Sequence, residues 1–144
     1  MTKQMQFDFD AAMPVLASAA PAAARGLAGQ LAFLAGSAAE ESVARLYEYG
    51  GMQVAARRWR GSEGEIDLIM RDGEDLVFVE VKKSKSFAAA SERLSMRQMQ
   101  RIYGAASEFL AGEPRGQLTN LRFDVALVNG VGEIRVVENA FGHF

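Results

Sequence analysis

The sequence predicts an α/β protein: one mixed β-sheet with helices packed against it. Two hairpin signals and an amphipathic stretch between them carry that expectation. "EIDLIMR" and "EDLVFVEVK" flank Asp72-Gly73, while "LRFDVALV" and "VGEIRVVE" flank Asn129-Gly130. Such dipeptides between alternating apolar runs mark hairpins. Between them Met96, Met99, Ile102, Tyr103, Ala106, Phe109 and Leu110 trace one helical face. The expected order is helix, three strands, helix, two strands, which suits helices laid on a central mixed sheet.

Residues 1–24 are rich in alanine and hold Pro14 and Pro21. Asp8 and Asp10 stand where a secretory leader wants positive charge, and the apolar run is too short and proline-broken for a membrane span. The expectation is a flexible N-terminal tail over 1–24 and a single domain over 25–144. Arg25 to Tyr49 is expected as the first helix, from the spacing of Leu27, Leu31, Leu34 and Ala38, with Gly50-Gly51 as its stop. Residues 52–59 are a strand candidate and 61–64 a loop. Ser95 with Gln98 forms a capping box for the second helix, and Gly112 suits its end.

The 144 residues suffice for one domain with a core, and 49% hydrophobic against 24% charged residues reads as soluble and globular. The absence of cysteine rules out disulfides, thiolate metal sites and a cysteine nucleophile, and fits a reducing, cytoplasmic compartment. His143 is the one histidine and lies beside the C-terminus, which disfavours histidine-pair metal sites and a core catalytic triad. Chemistry then falls to carboxylates, lysine, arginine and tyrosine. A net charge of −2 does not announce a nucleic-acid binder. Residues 57–101, however, hold ten basic and eight acidic side chains, whereas the segments on either side hold three and five each. The cations gather around the first hairpin.

That hairpin carries Asp67 on its first strand and Glu80 and Lys82 on its second. Buried charge is costly unless paired or bound to metal. With Asp72-Gly73 as a two-residue turn, Arg71 faces Glu74, Asp67 faces Phe78 and Glu65 faces Glu80. Asp67, Phe78, Glu80 and Lys82 then share a face, with the two acids as diagonal neighbours about 7–8 Å apart. Ile66, Leu68, Met70, Val77, Val79 and Val81 make the opposite, core face. Ile69, Leu76 and Phe78 lie toward the turn on the charged face and need a helix to cover them. Two carboxylates at that range suit one hard cation, Mg or Mn. Lys82 beside them can orient or deprotonate a water or stabilise developing charge. The chemistry implied is metal-assisted phosphodiester hydrolysis. Rim charges on a solvated face, with Lys82 paired to Glu80 or Glu65, explain the same pattern.

Asp67, followed thirteen positions on by Glu80-Val81-Lys82, resembles the D…ExK signature of the PD-(D/E)XK nuclease superfamily. More narrowly, "GSAAEESVARLYEYGG", "AARRWR", "GEIDLIMRDGEDLVFVEVK" and "RFDVALV" are similar to the YraN-like family of uncharacterised bacterial proteins, predicted to be Holliday-junction-resolvase-like endonucleases. The likeness spans about residues 36 to 128. It implies a restriction-endonuclease-like core and a substrate of nucleic acid, DNA above all, with branched or junction DNA in view. Asp67 and Glu80 would be metal ligands, joined by the Val81 carbonyl, and Lys82 the catalytic lysine. Glu40 matches the acid of the family's first helix, with Glu41 beside it as the alternative. Gln98 stands where the family often has lysine, though capping explains it equally. Arg58 stands where asparagine is usual, and Lys83-Ser84 replace the usual Thr-Arg.

Arg57, Arg58 and Arg60 around Trp59, Lys83 and Lys85 after the ExK motif, and Arg97 and Arg101 one turn apart on the second helix are candidate phosphate contacts. Singly, each such cation is more often a solvated charge. Trp59 suits the core better than base stacking, and Asp124 is expected to pair with Arg122. A second reading keeps the scaffold without the chemistry, as a non-catalytic nucleic-acid-binding module. A third is an interaction protein that uses its sheet edge and tail. No membrane partner is expected, and a homodimer stays open.

Overall fold

The computed structural model describes residues 2–5 and 37–141. Its strands are β1 (Thr2–Met5), β2 (Gln53–Arg60), β3 (Glu65–Asp72), β4 (Asp75–Lys83), β5 (Leu121–Val128) and β6 (Ile134–Val137). They form one mixed sheet in the order β1-β6-β5-β4-β3-β2. Helix α1 covers 37–49, α2 is Phe87–Ser91 and α3 is Met96–Leu110. This is the expected α/β class, a mixed sheet flanked by helices, consistent with a restriction-endonuclease-like core. β4 and β5 pair in parallel, and α2 and α3 lie in the crossover that a parallel pair requires. The other described ladders are antiparallel.

The tail expected over 1–24 falls outside the described residues except at Thr2–Met5, where a strand unforeseen in the sequence pairs with β6. The first half of the expected first helix also lies outside them. The short α2 was unforeseen too; Ser86 caps it by accepting from the Ala89 N–H at 3.1 Å.

Each face of the sheet is covered. On one side Val43, Ala44, Leu46 and Tyr47 of α1 pack on Leu68, Met70, Val77, Val79, Ala126 and Val128. On the other, Ile102, Ala105, Ala106 and Leu110 of α3 cover Ile69, Leu76, Phe78 and Phe123. The apolar end of the charged face therefore has the helical cover it needs. Burying one such large side chain stabilises by about 1.5–3 kcal/mol. Asp124, fully buried in β5, accepts from Tyr47 Oη at 2.7 Å, Arg122 Nε at 3.1 Å and the Asn139 N–H at 3.0 Å. It pairs with Arg122 as expected, and through Tyr47 it also anchors α1 to the sheet.

Both turns differ from the expectation. Asp72 pairs with Asp75, so Gly73 and Glu74 make the turn, and Gly73 has a φ of 62°. Glycine with positive φ at the first turn position is the type II′ pattern. A turn at Asp72-Gly73 would force Asp72 left-handed as well. The slip is two residues along the partner strand, so the division of faces survives along the paired length, Leu68 to Asp72 and Asp75 to Val79. The pairs change: Ile69, not Asp67, faces Phe78. In the second hairpin Val128 pairs with Ile134, leaving a loop over 129–133 instead of a two-residue turn. Asn129 Oδ1 accepts from the Val131 and Glu133 N–H groups at 3.1 and 2.9 Å, so its side chain organises the loop. Among the described residues no helix is long and apolar enough to cross a membrane.

Candidate active site

From the turn, β3 and β4 stay paired as far as Leu68 and Val79. Past that point β3 follows β2 to Glu65, and β4 follows β5 to Lys83. The two strands fork. Carried one step further, their register sets Asp67 opposite Glu80 rather than diagonal to it. Ile66 departs from the expected core face and joins the α3-side cluster. At the fork it pairs with Trp59, whose ring meets Phe109 of α3 edge-on at 5.4 Å. Trp59 is a core residue, as expected.

A cleft of about 390 Å³ opens at the fork. It is lined by Glu40 from α1, Glu63 and Gly64 from the β2–β3 connection, Glu65, Asp67, Glu80, Val81 and Lys82 from the two strands, and Gln98, Arg101 and Ile102 from α3. The Val81 N–H, at the point where the ladder stops, donates to Asp67 Oδ2 at 2.8 Å. Gln98 Nε2 donates to Glu80 Oε2 at 2.7 Å, and Lys82 Nζ stands 3.9 Å from the same oxygen. Ser95 caps α3 by accepting from the Gln98 N–H at 3.1 Å. The serine half of the capping box forms, while the glutamine side chain turns to Glu80.

Glu80 is only 5% exposed. Burial pushes its carboxyl well above the usual range, and Asp67 pushes it further, both as hydrogen-bond partner and as like charge. Lys82 and Gln98 offset this only in part. Against Lys82 and Arg101 the cleft is lined by five acids, Asp67 and Glu80 at its centre, and is short of positive charge. Their oxygens are the donors that hard divalent cations take.

Glu40 lines the same cleft, but Arg58 Nε donates to its Oε2 at 2.9 Å. Burial raises the Glu40 carboxyl and the Arg58 hydrogen bond holds it partly back. Among the described residues no three acidic or histidine side chains gather closely enough to hold one ion. Glu41 instead pairs with Arg57, Nη2 to Oε1 at 3.0 Å and Nε to Oε2 at 3.2 Å, which separates it from Glu40. Arg60 pairs with Glu65 at 3.1 Å. The three arginines of β2 are thus engaged with this chain's own carboxylates. Lys83, Lys85, Arg97 and Arg101 have no ion-pair partner among the described residues, and Arg101 lines the cleft.

The loop expected over 61–64, the β2–β3 connection, also shapes the cleft, a part the sequence did not assign to it. Ser62 N–H donates to Glu108 Oε2 of α3 at 2.9 Å, and the Ser62 hydroxyl contacts the same carboxylate. A β-carbon at Gly64 would stand 3.1 Å from Arg101 Cβ, and one at Gly104 would strike Glu63. A mid-helix glycine costs about 1 kcal/mol against alanine. Gly104 within the α3 pattern was therefore the available signal of a close approach.

The model of UPF0102, an uncharacterised protein family, matches residues 39–128, which take in Glu40, Asp67, Glu80, Lys82, Gln98 and Arg101. A UPF0102 protein of Cereibacter sphaeroides is 65% identical over 115 residues, covering 80% of this chain and 98% of the relative. One from Ruegeria pomeroyi is 63% identical over 110 residues, 76% of this chain and 89% of the relative. One from Dinoroseobacter shibae is 50% identical over 118 residues, 82% and 88% respectively.

Proposed function

The chain belongs to the UPF0102 family, and from that premise we propose that it is a divalent-metal-dependent endonuclease that hydrolyses phosphodiester bonds of DNA, with branched or junction DNA as the form to test first. One observation carries the reading: a buried glutamate, Glu80, shares a cleft with Asp67, Lys82 and Gln98 where two strands part. A buried carboxylate beside a second carboxylate is a poor arrangement for a fold alone, and a hard cation would relieve it. Asp67, Glu80 and the Val81 carbonyl would hold Mg or Mn. Such an ion, when bound, lowers the pKa of water and neutralises charge on a phosphate oxygen.

The chain's own residues supply the rest. The Val81 N–H and Gln98 Nε2 each fix one oxygen of an acid, so both carboxylates are oriented before any ligand arrives. Lys82, its ammonium beside Glu80, orients the attacking water or stabilises the charge that develops on the phosphate. Lys83, Lys85, Arg97 and Arg101 contact backbone phosphates without reading sequence. Arg57, Arg58 and Arg60 are less suited, being engaged with Glu41, Glu40 and Glu65. One observation favours a second reading, a non-catalytic nucleic-acid-binding module: among the described residues no three acids converge.

Incubation with plasmid, single-stranded and branched DNA in Mg or Mn separates the two. Asp67→Asn, Glu80→Gln and Lys82→Ala are each expected to reduce cleavage to background while circular dichroism stays that of the wild type. Cleavage that persists in the Glu80 and Lys82 variants overturns the assignment. Salt-sensitive binding without turnover in any metal, unchanged by Asp67→Asn, establishes the binding module.

A further inference from the structure

Arg58 has a φ of 46°, left-handed for a residue that carries a β-carbon. Such strain persists only where the surroundings over-determine it. Consecutive residues of a regular strand point to opposite faces. Yet Arg57 and Arg58 both reach α1, Arg57 to Glu41 at 3.0 Å and Arg58 to Glu40 at 2.9 Å. Arg58 Nη2 also donates to Ser37 Oγ at 2.9 Å. The left-handed backbone is what brings the second guanidinium round to the helix. Its target is the one acid of that helix that lines the cleft.

We infer that Arg58 is a positioning residue that stands in for a cation at Glu40 and keeps that carboxylate out of the Asp67–Glu80 pair. The cleft then presents two acids to a divalent ion instead of three. This rests on the reading of the cleft as a metal site. The number of charged oxygen ligands governs how tightly such sites hold divalent cations. The positive charge of Arg58 acts in the same direction, weakening cation binding from nearby.

Calorimetric titration of the full chain with Mn2+ tests this, using the wild type, Arg58→Asn, Glu40→Gln and the double variant. Asparagine tolerates left-handed φ and is too short to reach Glu40. Arg58→Asn is expected to bind Mn2+ about tenfold more tightly than the wild type. Its Tm should change little, because the backbone strain eases while a part-exposed ion pair is lost. In the Glu40→Gln background the gain should shrink. A gain of equal size in both backgrounds overturns the inference, since the charge alone would then explain it. So does an Arg58→Asn variant with unchanged or weaker Mn2+ binding beside a wild type that binds. Should neither protein bind Mn2+, the metal reading of the cleft falls as well.

Discussion

At its turn end the β3–β4 hairpin is buried from both sides. Leu68, Met70, Val77 and Val79 face α1, while Ile69, Leu76 and Phe78 face α3. At its fork end the same two strands carry Asp67, Glu80 and Lys82 into a cleft of about 390 Å³. The strands are continuous, and what changes is the ladder between them. Where it holds, backbone groups satisfy one another and apolar side chains pack. Where it stops, the Val81 N–H needs another acceptor and takes Asp67, which draws one carboxylate toward the other. One end of the hairpin makes stability, and the other is held in place by it.

The largest effect is expected at the turn end. Phe78 stacks on Phe123 at 5.3 Å and meets Phe109 edge-on at 6.1 Å. Phe78→Ala should cost about 3–5 kcal/mol in urea unfolding, as a large core truncation does. Glu80→Gln, at the fork, should leave stability at neutral pH unchanged or raised, since folding no longer has to take up a proton at this buried carboxyl beside Asp67. A Glu80→Gln loss as large as that of Phe78→Ala would show that the fork, too, is built for stability.

An intermediate effect is expected with pH. The Glu80 carboxyl is raised in the folded chain, so the folded state holds a proton that the unfolded state releases near the ordinary glutamate value of about 4.3. That contribution is fully present below this value and declines as pH rises toward the raised one. Without metal, thermal stability should therefore fall from mildly acidic to neutral pH by this increment. Glu80→Gln should flatten the slope, and Mn2+ at neutral pH should restore the wild-type Tm. A Glu80→Gln profile parallel to the wild type would remove the carboxyl as its source. The smallest effect belongs to the half-exposed Arg57–Glu41 pair. Arg57→Ala should change stability by about 0–1 kcal/mol and leave the cleft intact.

Much of the site was legible in the sequence because strand alternation survives a slip of two. Asp67, Glu80 and Lys82 fell on one face under either turn. The error lay in the pairs, and it traces to Gly73, which takes the first turn position and moves the partner strand. The fork itself was not legible. Nothing local says that β3 leaves β4 at Leu68, because that depends on β2 and β5 drawing the strands apart. Gln98 carried two readings, cap and site, and the structure gives the cap to Ser95 and the side chain to Glu80. The β2 arginines looked like phosphate contacts because sequence shows a cation without its partner, and Glu40, Glu41 and Glu65 became visible only when α1 and β3 came alongside.

Apart from β1 and the short α2, the order of strands and helices followed from the chain alone, as did the covering helix and, Ile66 excepted, the apolar and charged faces of the hairpin, since each depends on periodicities of two and 3.6 residues. The opening of the fork, the burial of Glu80 and the left-handed reach of Arg58 to Glu40 were decided by tertiary structure. They arise where elements distant in sequence compete for the same backbone groups and the same charges.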